Sequence, residues 1–437
     1  MKRGTEMKRY MLFFTLLLLN GILFSATRSV THTFNLKGQV FDYGQNIVAV
    51  EIQSGKLKNI DEKSLDTKTF KVHAKGELPK VNGKDIFPVM DEKTKALGLF
   101  DVDREITKIY INDKGNIVIE LKYGQNIPGS GTLAYVTGEV SRNVLMDLTY
   151  TVTQEKDFRL KNGTVISKES VYKQGKVVDE EADKFISRTS PNGINYQYYA
   201  PENTVKSKKY PLIIWFHGNG EGGYKEYRNN VSQKLANRGV VAFGEKETQK
   251  IFGKAYVVAP QVDDTWYNNY SKGYIGKVKV MIDDIVARNA NIDKNRIYIF
   301  GASAGGYMSI RMGIEYPGYF AGINVSAPAV NLAPERGGVA TAEEELEKLA
   351  QTPLWLVHAE NDPTVAYSTS SQWIYEKLKD RGILLTAYPN VKIGEAEYNG
   401  HWSWIYSLRN MPVNEKGENL FQWMAKQTLK KSNLKTQ

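Results

Sequence analysis

The 437-residue sequence contains no cysteine. A disulfide framework, a thiolate metal site and a cysteine nucleophile are therefore all excluded. Histidine is scarce too, with five residues in the whole chain. Long apolar runs are missing, and the run at 11–19 is short of the ~20 residues that a helix needs to span a bilayer. Nor is there a concentrated basic tract. The formal net charge is +10, and Lys2, Arg3, Lys8 and Arg9 set against Glu6 supply +3 of it. The remaining charge is scattered among acids, which argues against a nucleic-acid partner. What is present is ordinary for a globular protein: 41% apolar and 24% charged residues. The length suits two domains most simply.

Lys8 and Arg9 precede the apolar run, Asn20-Gly21 breaks it, and small residues follow at Ser25 and Ala26. These are the three parts of a secretory signal peptide. Residues 1–26 are expected to be cleaved near Ala26 and the mature chain exported to the periplasm or beyond. With no cysteine after the apolar core, a lipid anchor is excluded.

From 28 to 155 the chain reads as an immunoglobulin-like all-β domain. Short β-rich runs at 31–36, 47–52, 70–74, 106–111, 116–121 and 144–152 predict a sandwich of short strands. Residues 156–183 are polar and read as a linker or bridging segment. From 184 to 437 the rhythm changes. Continuous apolar runs at 211–216, 255–259, 296–300, 322–325, 354–357 and 383–387 alternate with helical patterns at 278–290 and 371–378. This alternation predicts a mainly parallel sheet with helices on both faces.

The chemistry collects at the ends of those runs. Gly301, Ser303 and Gly305 form G-x-S-x-G between an apolar run and a helical stretch, the setting of a nucleophile elbow. A serine needs a base, and His401 follows the last main strand in the order that this arrangement requires. Asp362, four residues past His358, is the expected acid, with Glu360 as its competitor in the same loop. One oxyanion donor should be the N–H of Ala304. The other should come from the glycine-rich loop 217–223, through either Gly218 or Asn219. The phosphate-binding pattern G-x-x-x-x-G-K-[ST] is missing from that loop. Trp266 and Trp402, flanked by Tyr267 and Trp404, are candidates for the substrate pocket, with core packing as the alternative.

Together these pieces resemble known esterases. Residues 184–428 resemble α/β-hydrolase esterases, a group with peptidase-like and polysaccharide-esterase-like members. The match is carried by the loop beginning His217-Gly-Asn-Gly-Glu-Gly, by the stretch from Arg296 to Tyr307, by His358 to Asp362 and by Gly400 to Trp404. With the β domain in front, the chain resembles thermophile-type bacterial esterases of the EstA kind. One departure is visible: Gly222-Gly223 stands where relatives commonly place arginine. The resemblance implies a serine carboxylesterase of short acyl chains, needing no metal or organic cofactor. The expected partner is a small acyl ester. A polysaccharide ester, a peptide substrate and self-association stay open, as does a non-catalytic adhesion role. The β domain is open to three roles: binding carbohydrate, shaping the active-site rim or mediating oligomerisation.

Overall fold

The computed structural model describes residues 27–429 apart from 29, 54, 56–58, 88–90 and 229. The expected signal peptide lies outside the described residues. In the N-terminal region, alternation decides which face of each strand is buried. Phe34 and Leu36 on strand Thr31–Phe41 point inward, as do Phe70, Val72 and Ala74 on strand Phe70–Glu77. The first strand lies in a five-stranded sheet ordered Val171–Val178, Thr31–Phe41, Gly44–Ile52, Ile117–Leu121 and Ile106–Ile111. The second lies in a three-stranded sheet ordered Asp147–Gln154, Phe70–Glu77 and Phe100–Arg104. Val50, Ile52, Ile119, Tyr150 and Val152 complete the core that the two sheets enclose.

Two sequence expectations are revised here. Residues 144–152 are not one strand but the ends of two, Arg142–Leu145 and Asp147–Gln154. Buried Met146 marks the break, and its N–H bonds to the Thr132 carbonyl at 3.0 Å. Strand Arg142–Leu145 leaves the sandwich to pair with Leu133–Val136 in a small separate sheet. Residues 156–183, read as a linker or bridge, carry strands Phe158–Arg159, Val165–Ile166 and Val171–Val178. The last runs parallel to Thr31–Phe41 as an edge strand. Its residues are mostly exposed, so no apolar alternation marks it in the sequence.

The C-terminal region is built on one eight-stranded sheet. Its strands are β1 (Ile186–Thr189), β2 (Asn195–Tyr199), β3 (Tyr210–Phe216), β4 (Tyr256–Gln261), β5 (Ile292–Ala302), β6 (Gly322–Ser326), β7 (Leu354–Ala359) and β8 (Leu384–Tyr388). Their order is β1-β2-β4-β3-β5-β6-β7-β8, antiparallel at β1 and β2 and parallel thereafter. Every residue of β3 is buried, which is why it reads as an unbroken apolar run. Helices α1 (Tyr274–Arg288), α2 (Ala304–Glu315) and α3 (Ser371–Leu378) cover one face of the sheet. Val278, Ile282, Met308 and Ile374 pack there against Leu212, Ile214 and Ile299. Val280, an apolar residue of α1, faces solvent. On the other face Phe243, Phe421 and Met424 meet Ile213, Trp215 and Phe300. The C-terminal ends of β3, β5 and β7 open on the same edge, where ligand sites form in parallel sheets.

Candidate active site

Ser303 sits between the end of β5 and the start of α2 with φ 56° and ψ −120°. This left-handed backbone is strained for a residue with a side chain. Three hydrogen bonds hold it. Ser303 N donates to Ser326 O at 3.0 Å, and Ser303 O accepts from Tyr307 N and Ala329 N, each at 3.0 Å. The tight turn brings Gly305 against β3, where a Cβ would collide with the carbonyl oxygens of Phe216 and His217. Glycine at that place is thus a steric requirement.

His401 Nε2 lies 2.9 Å from Ser303 Oγ, and His401 Nδ1 lies 2.8 Å from Asp362 Oδ2. An ionised carboxylate only accepts, so Nδ1–H donates to Asp362 and Nε2 presents its lone pair to the serine hydroxyl. Asn399 Oδ1 accepts from the His401 N–H at 2.9 Å and fixes the short turn Gly400–Trp402 that carries the ring. Asp362 is buried, whereas its competitor Glu360 is exposed.

Asp362 is bound more fully than the sequence suggested. Its Oδ1 accepts from the backbone N–H groups of Thr364 at 2.8 Å and Val365 at 2.9 Å. His358 places Nε2 3.0 Å from Asp362 Oδ2 and 3.1 Å from Val365 O. Both partners are acceptors, so His358 Nε2 carries a proton. Its Nδ1 accepts from Ser371 Oγ at 2.9 Å. Burial works to raise the Asp362 pKa. The hydrogen bonds from His358 and His401 outweigh it and hold the carboxylate well below its usual range. The signal available in the sequence was the His358-x-x-x-Asp362 spacing at a strand end.

His217 is no rival base. Burial pushes its imidazole down to about 4, and its Nδ1 donates to Gly218 O at 2.6 Å. The loop beyond it, residues 217–223, comes close to Ser303: a Cβ on Gly218 would lie 3.9 Å from Ser303 Cβ. Glu221, in the one-turn helix Asn219–Glu221, turns its carboxylate back toward Gly218. Burial raises the Glu221 pKa, while hydrogen bonds from Asn143 and from the Gly218 and Glu221 N–H groups oppose the rise. The Ala304 N–H opens α2, where helix geometry leaves it without a partner within the helix. The departure at Gly222 also has a steric cause, since a Cβ there would collide with the Asp264 carbonyl.

The two tryptophans divide. Trp266 is wholly buried, packed edge-on against Phe216 at 5.2 Å and beside His217 at 5.1 Å. It therefore lines no open pocket and instead supports the loop from behind. Trp402 is half-buried and stands 6.3 Å from Trp404, whose ring meets His401 edge-on at 5.3 Å. Tyr267 is buried against Tyr307.

An eight-stranded sheet with an elbow after β5, an acid after β7 and a histidine beyond β8 defines an α/β-hydrolase. Residues 187–406 match the family described as "Putative esterase", half of the chain. Residues 38–167 match the esterase Ig-like N-terminal domain. The chain belongs to this esterase family and is a carboxylic ester hydrolase. It is similar to a solved thermostable esterase at 25% identity and a TM-score of 0.69, over 90% of this chain and 99% of that one. Two other solved structures are matched more loosely. The acylaminoacyl peptidase of Pyrococcus horikoshii shares 16% identity at a TM-score of 0.39, over 76% of this chain and 57% of its own. A ferulic acid esterase from Anaeromyces mucronatus shares 16% identity at 0.37, over 52% and 88%. No curated protein matches the chain.

Proposed function

We propose that the protein is an exported serine carboxylesterase that hydrolyses short-chain acyl esters through an acyl-enzyme. The observation that carries the reading is the continuous line Ser303 Oγ, His401 Nε2, His401 Nδ1, Asp362 Oδ2, with links of 2.9 and 2.8 Å. Ser303 Oγ attacks the ester carbonyl carbon as its proton passes to His401 Nε2. Asp362 stabilises the imidazolium and keeps its tautomer. The carbonyl oxygen becomes an oxyanion and accepts from the N–H groups of Ala304 and Asn219. Asn219 is preferred to Gly218 because the Glu221 carboxylate lies beside Gly218. Collapse expels the alcohol, which takes the proton from His401. Water then gives its proton to His401 and attacks the acyl-enzyme, and Ser303 is restored.

Preference for short acyl chains is supported by the segment 327–353, which sits where a lipase would carry a lid. It is tied down: Tyr307 Oη donates to Val339 O at 2.9 Å and accepts from Val339 N at 3.0 Å, and Arg311 pairs with Glu345 at 2.7 Å. Trp402 and Trp404 are the side chains best placed to meet the acyl or alcohol group. Export rests on residues 1–26, and the partner is a small ester. In a Ser303→Ala variant, kcat on p-nitrophenyl acetate should fall on the order of 10⁶-fold while the circular dichroism spectrum stays unchanged. The same variant should lose labelling by a fluorophosphonate. Retention of most activity would reject Ser303 as the nucleophile.

A further inference from the structure

Strand Arg142–Leu145 belongs to the N-terminal domain, yet its first two residues end at the active site. Asn143 Nδ2 donates to Glu221 Oε1 at 2.7 Å. It also lies where a side chain on Gly220 would begin, 2.7 Å from a Cβ built there. Arg142, itself buried, donates through Nε to Gly223 O at 3.1 Å and through Nη2 to Asp264 O at 2.7 Å. Its Nη1 is held by Val140 O and Ser141 O, each at 3.0 Å. The next residue after Asp264 closes the circle, because Thr265 Oγ1 donates to Asn219 Oδ1 at 2.8 Å. Both ends of the short helix Asn219–Glu221 are therefore held by groups that the N-terminal domain fixes.

We propose that Arg142 and Asn143 are positioning residues, through which the N-terminal domain holds the 217–223 loop so that the Asn219 N–H faces the oxyanion. The assignment rests on the serine esterase reading above and adds the source of its second oxyanion donor. Neither side chain touches substrate. Asn143 keeps the Glu221 carboxylate turned toward Gly218, the residue that caps the helix whose first residue is Asn219. Arg142 pins the far end of the loop to the 262–265 segment. A donor placed this way acts on the tetrahedral state more than on bound ester, so its displacement should appear in kcat.

The test compares the full chain with Asn143→Ala and Glu221→Gln, the latter close to isosteric and so folding even if the former does not. Each is assayed on p-nitrophenyl acetate and titrated with phenyl trifluoromethyl ketone, whose hemiketal with a serine carries the same oxyanion. Both variants should lose kcat by roughly 10- to 100-fold with KM within threefold. Their inhibition constants for the ketone should rise in parallel, with melting temperatures close to that of the parent. An unchanged kcat in the variant that folds, or a kcat loss without loss of ketone affinity, overturns the assignment. A parent enzyme that neither hydrolyses the ester nor reacts with a fluorophosphonate overturns the serine esterase reading itself.

Discussion

Asp362 Oδ2 accepts from two imidazoles, His401 on the side of Ser303 and His358 on the side of the core. One carboxylate oxygen is thus oriented from two directions, and only one of the two rings can reach Ser303. His358→Ala removes the inner donor and leaves a cavity beside a charged group. A hydrogen bond to a charge contributes about 1.5–3 kcal/mol, so kcat should fall roughly 10- to 100-fold. His358→Gln, whose amide can keep a donor near the same oxygen, should recover part of that loss. A pH effect accompanies it. The Asp362 pKa is depressed in the folded state, so its contribution to stability is complete above its unfolded value, about 4. That contribution is lost as pH falls through the lower folded value. Without His358 the folded value rises toward the unfolded one, and less stability is gained above pH 4. Acid unfolding followed by circular dichroism should then begin at a higher pH in the alanine variant. An unshifted acid transition together with unchanged kcat would reduce His358 to a packing residue.

At the scale of elements, the elbow between β5 and α2 shows which glycines the fold depends on. Gly305→Ala sets a methyl group against two backbone carbonyls that cannot rotate away. It should cost about 3 kcal/mol or more and abolish activity, because the same turn carries the strained Ser303 backbone. Gly276, in the first turn of α1, is exposed and has nothing within 4 Å of a built Cβ. Gly276→Ala should instead stabilise the protein by about 0.5–1 kcal/mol with unaltered kcat. Urea unfolding of the two variants should move in opposite directions. This contrast also explains what could be read in the sequence. Ser303 was legible because the elbow is local: glycines two residues to either side of the serine mark it. Asp362 and His401 were legible by their order after apolar strands. Asn143 was not, because its contact with Glu221 spans 78 residues and leaves no local pattern. The strand that bears it was hidden as well, since the break at Met146 lies inside an unbroken β-rich run. Trp266 was equivocal for a related reason. A tryptophan near a site in sequence can face the pocket or support it from behind, and only packing separates the two.

For the whole molecule, the question is whether the N-terminal domain can come away from the catalytic domain without loss of the site. The hairpin turn between strands Thr31–Phe41 and Gly44–Ile52 carries buried Asp42, which accepts from Arg409 Nε at 2.8 Å and lies 3.9 Å from Arg238 Nη1. Val40, Leu133 and Leu145 pack against the same cluster as Trp215 and Phe243. Tyr227 joins Val136, Val140 and Val144, and its hydroxyl accepts from Leu145 N at 2.7 Å. An interface with an apolar centre and ion pairs on the buried Asp42 carboxylate couples the two domains, so the parent should unfold in one calorimetric transition. Removing one partner of a buried pair leaves the other desolvated, and the half-exposed Arg409 softens that cost. Asp42→Ala should therefore weaken docking by about 2 kcal/mol. The unfolding endotherm should broaden or split, with the N-terminal domain released first. Esterase activity should fade over that first transition, before the catalytic domain melts, because the hold of Arg142 and Asn143 on the 217–223 loop depends on docking. Calorimetry and activity measured along one temperature ramp would decide it. A single unshifted transition would show that the apolar contacts dock the domains unaided. Activity persisting through the first of two transitions would show that the loop keeps its shape without them.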